Sequence, residues 1–168
     1  MKTKSGLIAD INELLVAVGD RFDADEDGDA ERDFLVERCP DRLAPALRTL
    51  PTLSMHLLAA IAEGPVSVVG LAGRTGQLKG TVSKHVQRLV EAGLVVRTPV
   101  PGNRKEIQLG LTADGEVVVD AHQRLHDEMA LGRQDFLQAY SSAELQVLAT
   151  VLRDLLSAKR VGVRLARG

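Results

Sequence analysis

Residues Ser67 to Leu111 read SVVGLAGRTGQLKGTVSKHVQRLVEAGLVVRTPVPGNRKEIQLGL, and the organisation of the whole chain follows from how this stretch is parsed. Ser67 is placed to cap a helix running to about Thr75, on which Val68, Leu71 and Ala72 form an apolar stripe. Gly76 ends that helix, because glycine accepts the left-handed backbone of a sharp inter-helix turn, and small Ala72 lets the next helix cross closely. The second helix runs from Lys79 to about Ala92. At about 100° per residue, Val82, Val86 and Leu89 fall on one side. Gly80, Lys84 and Gln87 fall on the other, flanked by Thr81, Ser83 and Arg88. An apolar face holds the helix down while a polar, cationic face looks out.

Gly93 stops this helix, and Leu94 to Arg97 is a short β-rich run followed by the turn cluster Pro99, Pro101, Gly102 and Asn103. Ile107, Leu109 and Leu111 then alternate with Glu106, Gln108 and Gly110, the period-two pattern of a half-buried strand returning from the turn. Arg104 and Lys105 sit at the tip of that hairpin. Helix, turn, helix and basic-tipped hairpin make a winged helix-turn-helix. Its second helix suits the major groove of a DNA duplex and its tip the narrow, negative minor groove alongside.

The same marks resemble those of MarR-type transcriptional regulators. The resemblance lies in Leu71 through Gly76, in Thr81-Val82-Ser83-Lys84-His85-Val86, and in Leu89 with Glu91-Ala92-Gly93-Leu94-Val95. It continues in Asn103-Arg104-Lys105 and Leu111-Thr112-Ala113-Asp114-Gly115. It extends from roughly Leu50 to Ala158 without an obvious gap. Two positions depart from it: Leu78 stands where the family usually has a serine or threonine cap, and Asn103 where an aspartate usually precedes the wing arginine.

At 168 residues with 45% apolar composition, the chain can bury a real core, and aromatic residues at 2% leave that core to Leu, Val and Ala. One cysteine, Cys39, excludes an internal disulfide and fits a reducing cytoplasm. No apolar run approaches a membrane span, and residues Met1 to Ile11 lack an export signal. The formal charge of −2 divides unevenly. Residues 67 to 111 carry seven cations against two carboxylates, a net +5, whereas residues 20 to 41 carry three against ten, a net −7. A basic reading surface beside an acidic flank is therefore expected, and nucleic-acid binding depends on the local patch.

Leu7, Ile8, Ile11, Leu14, Leu15 and Val18 are spaced for an amphipathic helix over about residues 5–18. Asp20 to Asp33 reads as a flexible acidic loop. Its run Asp23 to Glu31 imitates the start of a calcium-binding loop, but the twelfth position, which should supply a bidentate carboxylate, is Phe34. Phe34 to Arg38 is expected as a short helix, Pro45 and Pro51 bracket another short segment, and Thr52 or Ser54 starts the helix carrying Leu53, Leu57, Leu58 and Ile61. Thr112 caps a long helix over about residues 113–139. Ser141-Ser142-Ala143-Glu144 is a capping box for a last helix over about 142–158, with Leu145, Leu148, Leu152, Leu155 and Leu156 in one stripe. The tail with Arg160, Arg164 and Arg167 is expected to be loosely ordered. No repeat or low-complexity linker divides the chain, so residues 1–168 are expected to form one unit around a winged-helix core of about 52–112. The overall class is mainly α with a small β-hairpin wing. In the family resembled, the first and last two helices join in a dimer interface, and two apolar stripes in search of a partner point the same way.

His122 and His126 are four apart on the long helix, so both imidazoles share a face and can share a metal; such a pair is more often simply solvated or hydrogen-bonded. The resemblance adds His56: in zinc-responsive MarR-like repressors the positions of His56, His122 and His126 hold a regulatory zinc ion. A fourth ligand there comes from the segment joining the first two helices, here Glu37, Cys39 or Asp41, while Met55 and Ala121 replace the carboxylates of a second site. His85 is expected on the core side of its helix. A small organic effector is the alternative to zinc.

The function implied is a homodimeric, sequence-specific regulator of transcription bound to double-stranded DNA. Lys79, Thr81, Ser83, Lys84, Gln87 and Arg88 would contact the major groove, and Arg104 and Lys105 would work from the wing. A winged helix used only for protein contacts is the alternative, against which the cationic outer face argues. Enzymatic function lacks support: no glycine-rich phosphate loop, nucleophile elbow or paired-carboxylate site accompanies Cys39.

Overall fold

The helix that carries the winged unit is α4 (Thr52–Ala62), which turns Ser54, Met55, Leu57, Leu58, Ala60 and Ile61 into the core. The computed structural model describes the backbone of residues 3–23, 26–161 and 164–166, with side chains described outside 20–29, 104–105 and 160–168. Against α4 pack α5 (Val68–Thr75), α6 (Lys79–Glu91) and a hairpin of β1 (Val95–Val100) and β2 (Asn103–Leu111). Ahead of them lie α1 (Lys4–Asp23), α2 (Glu26–Arg38), a 3-10 turn (Asp41–Leu43) and α3 (Ala44–Thr49). After them come α7 (Ala113–Gln138), α8 (Ser142–Ser157) and a second hairpin, β3 (Lys159–Val161) with β4 (Arg164–Ala166). The chain divides into two compact units, residues 1–125 and 126–168, with the boundary inside α7.

The core of the first unit is almost entirely aliphatic. Leu57, Leu58, Leu71, Val82, Val86, Leu89, Leu94, Val95, Leu109 and Val118 are wholly buried. Each such side chain stabilises the fold by about 1.5–3 kcal/mol relative to exposure. The three apolar positions of α6 that the helical period singles out, Val82, Val86 and Leu89, are all in this core.

In the hairpin, Val95 pairs with Leu111, Arg97 with Leu109 and Pro99 with Ile107. The register slips between Pro99 and Val100, where proline has no amide to offer a ladder. Leu109 is wholly buried and its amide donates to the carbonyl of Val66 at 2.8 Å, adding a one-residue third strand at the base of the wing. Ile107, nearer the tip, is 41% exposed: the expected alternation serves the core only where the wing rests on it.

Thr112 joins the wing to α7. Its hydroxyl donates to the carbonyl of Gly93 at 2.6 Å and accepts from the amide of Gly115 at 3.0 Å. The backbone passes so close there that a Cβ on Gly115 would lie 2.1 Å from the carbonyl oxygen of Leu94.

In the second unit, Ser141 and Glu144 form the expected capping box, and α8 buries none of its residues within the chain. Phe136, Leu137, Tyr140, Leu145 and Leu148 line an apolar groove at the α7–α8 corner, with the Phe136 and Tyr140 rings 5.8 Å apart. In the first unit, α1 likewise leaves Leu7, Ile8, Ile11, Leu14, Leu15 and Val18 exposed.

Three expectations need correction. The first helix does not stop near Val18 but continues to Asp23. The acidic stretch is not a loop, because α2 starts at Glu26 and runs unbroken to Arg38; carboxylates crowded at a helix start interact favourably with its positive end. A helical backbone there is incompatible with a calcium-binding loop, and the side chains of 20–29 lie outside the described residues. The tail is a hairpin rather than a loose end; the sequence alternates Arg160, Val161 and Arg164, Leu165 in a way that suits paired strands. The side chains of Arg160, Arg164 and Arg167 lie outside the described residues.

Candidate nucleic-acid interface

The turn before the reading helix is built as its sequence dictates. Ser67 Oγ accepts from the amide of Gly70 at 3.1 Å, and Gly76 takes a φ of 67° in the left-handed region. Leu78 caps α6 without any side-chain hydrogen bond and is 79% exposed, so the first amides of α6 have no side-chain partner from the N-cap. Anions are favoured at such a helix start.

With Val82, Val86 and Leu89 anchored in the core, α6 presents Lys79, Ser83, Lys84 and Gln87 to solvent and keeps Thr81, His85 and Arg88 half-buried on one flank. Gln87 donates its side-chain amide to Glu91 at 2.9 Å, a bond that base contact would have to exchange. Arg88 borders a cleft with Ala46, Thr49 and Leu50. Arg74 is a structural cation: it donates to the carbonyl of Ala60 and pairs with Glu63 at 3.6 Å, tying α5 to the end of α4.

His85 lies on the core side of α6, as its place on the helix implies. It is half-buried, and its Nδ1 lies 2.8 Å from the hydroxyl of Ser54, which is wholly buried in α4. Burial, with Arg88 and Lys84 nearby, holds its pKa below the ordinary histidine value. In the sequence Ser54 reads only as a possible helix start. A polar residue at a buried helical position was the signal available for its real task.

The wing carries Arg104 and Lys105 on the first residues of β2, directly after the Gly102 turn with its φ of 83°. Their side chains lie outside the described residues. Asn103 donates to Glu106 at 3.3 Å, so the residue in place of the usual aspartate serves as a donor within the wing.

Of the histidines proposed for metal, His56 on α4 and His122 on α7 face each other edge-on, with ring centroids 5.7 Å apart; His56 is exposed and His122 buried. His126 follows His122 by one turn of the unbroken helix and is exposed. The described residues group neither Glu37, Cys39 nor Asp41 with His56 and His122. Cys39 is in the aliphatic core, and burial pushes its thiol pKa up, which disfavours the thiolate a metal needs.

A three-helix head of α4, α5 and α6 with a basic-tipped hairpin is the architecture of a winged helix-turn-helix DNA-binding protein. Residues 49–106 match the MarR family model. Over this winged unit the chain is similar to the MarR family, and the relatives that it matches are HTH-type transcriptional regulators. It is 27% identical over 109 residues to the uncharacterized HTH-type transcriptional regulator YhjH of Bacillus subtilis, covering 64% of this chain and 62% of that one. It is also 27% identical over 105 residues to the HTH-type transcriptional regulator PchR of the same organism, covering 62% of each. The chain thus spans about 62% of the length of these relatives. Among solved structures, the YusO protein of Bacillus subtilis has a similar fold, with a TM-score of 0.61 at 19% identity over 94% of this chain and 100% of that one. ZitR of Lactococcus lactis, a zinc-responsive MarR family member, gives 0.58 at 18% identity over 64% and 75%. A cysteine-to-serine mutant of ZitR in complex with DNA gives 0.59 at 19% identity over 64% and 74%.

No helix among the described residues is long and apolar enough to cross a membrane.

Proposed function

We propose that this protein is a cytoplasmic, sequence-specific DNA-binding repressor that acts as a homodimer on a pseudo-palindromic operator. The carrying observation is the division of α6 into an anchored apolar face and an outward face bearing Lys79, Ser83, Lys84 and Gln87. In this reading Thr81, Ser83, Lys84 and Gln87 work in the major groove. Lys79 and Arg88 contact phosphate, and Arg104 with Lys105 enters the minor groove. The apolar stripes of α1 and α8, which stay exposed within one chain, are the surfaces through which two copies associate.

The effector in this reading is zinc, held by His56, His122 and His126. Two imidazoles already face each other, imidazole suits a first-row divalent metal, and His126 repeats along the same helix. The zinc-responsive ZitR supports the assignment by its similar fold. Bound zinc would join α4 of the winged unit to α7 and so alter DNA affinity by its differential stabilisation of one arrangement.

The deciding experiment is a titration of the purified protein with a random duplex, then with a selected one, at several salt concentrations. Steep loss of affinity with salt is expected. Weak binding that is indifferent to salt would leave only a protein-interaction role for the winged unit. For the metal, His122→Ala should abolish zinc uptake by calorimetry and any zinc-dependent change in DNA affinity, leaving metal-free binding near its original level. If the wild type takes up no zinc at low micromolar concentration, the effector is an organic ligand.

A further inference from the structure

The start of α6 departs from local helix rules at two neighbouring positions. Leu78 gives no side-chain hydrogen bond as N-cap, and Gly80, in the first turn, is the poorest helix former after proline. Gly76 and Gly115 have causes within the chain, a left-handed φ of 67° for the one and the Leu94 carbonyl against the other. Gly80 has neither: its φ is not positive, and a Cβ built on it would meet nothing within 4 Å. Gly19, Gly73 and Gly132 are equally open, so openness alone does not single Gly80 out. Its position does. At about 100° per residue it lies about 200° round α6 from Val82 and about 180° from Leu89, both in the core, so it is central to the solvent-facing side. It is exposed there, with the exposed side chains of Ser83 and Lys84 as its neighbours three and four residues on. A local rule broken without gain inside the chain points to a functional site.

We propose that Gly80 is a specificity-determining residue, the point at which α6 comes closest to the floor of the major groove, so that base edges pack against bare helix backbone. This rests on the DNA-binding reading above. The N-terminal residues of a reading helix are the ones that meet base edges, and glycine is the residue that lets a backbone approach a ligand closely. The depth matters because the side chains around Gly80 differ in reach. Ser83 has a hydroxyl one carbon from the backbone, which meets a base only if the helix is deeply seated. Lys84 has a flexible four-carbon stem and still finds phosphate when the helix stands further off. A methyl group at position 80 would therefore lift α6, breaking short contacts to bases while sparing long ones to phosphate.

The test compares the wild type with Gly80→Ala, using thermal melts and titrations of two duplexes, one selected by the wild type from a random library and one of random sequence. Alanine is the better helix former and meets nothing in the chain, so the variant should melt no lower than the wild type. Its affinity for the selected duplex should fall about tenfold or more, the scale of an overpacked contact. Its affinity for the random duplex, and the salt slope of that binding, should stay unchanged. Equal affinity of variant and wild type for the selected duplex would overturn the proposal. An equal loss on both duplexes would overturn it too, because the methyl group would then crowd phosphate rather than bases. So would a lower melting temperature, which would place the missing side chain's cause inside the protein. A wild type that enriches no sequence from the library would instead remove the sequence-specific reading, and this inference with it.

Discussion

Gly115 has no room for a methyl group, since its Cβ would meet the Leu94 carbonyl at 2.1 Å, backbone that cannot swing away. Gly115→Ala should therefore destabilise the protein by about 1–3 kcal/mol or more, the usual cost of overpacking a close contact. Gly132 on the same helix has nothing within 4 Å of its Cβ position, so Gly132→Ala should be neutral or stabilising by about 0.5–1 kcal/mol. Thermal melts of the pair separate close packing from helix propensity; equal melting temperatures would refute the contact. His85 gives a pH prediction. Its folded pKa is depressed, by burial first and then by Arg88 and Lys84, so below about pH 6.5 the unfolded chain binds the proton more readily. Stability that this histidine leaves intact above that pH is lost as pH falls towards the folded pKa. The wild type should thus lose more stability than His85→Gln on acidification from about pH 7.5 to about pH 5.5, checked by denaturant titration at both values.

Secondary structure was legible wherever its cause is local. Ser67, Gly76, Thr112 and the Ser141–Glu144 box each act within a few residues, and each makes the turn or cap its chemistry implies. Charge density misled at α2, because crowded carboxylates speak equally for a solvated loop and for a helix start. The link between Ser54 and His85 spans 31 positions and two helices, and no local pattern reports such a contact. Ser67→Ala should cost about 1 kcal/mol through loss of the α5 cap, measured by denaturant midpoint with an unchanged slope. For the wing, Arg104→Ala should weaken DNA binding and flatten its salt dependence by about one contact, because β2 begins at Asn103 and the position follows the turn directly. Unchanged affinity and slope in a salt titration would refute the role given to the wing.

At the scale of the molecule, the apolar stripes were legible because their 3.6-residue period needs no knowledge of what covers them, while the partner that would cover them is absent from any single-chain pattern. Leu152 is 46% exposed in the isolated chain, so Leu152→Asp places its charge in water unless two copies meet there. Sedimentation should find the wild type dimeric at micromolar concentration and the variant a monomer with unchanged helical circular dichroism. A wild-type monomer would remove the proposed interface. The near-absence of aromatic residues also has an optical consequence. The chain has one tyrosine and no tryptophan, and that tyrosine, Tyr140, is against Phe136 beside the apolar groove at the α7–α8 corner. Excited in the tyrosine band, beyond the absorption of the three phenylalanines, ultraviolet emission from this protein therefore comes from a single phenol, in a spectral window that the aliphatic core leaves dark. Its quenching by iodide gives a label-free gauge of whether that corner is wet or covered, read on dilution without altering one atom of the chain.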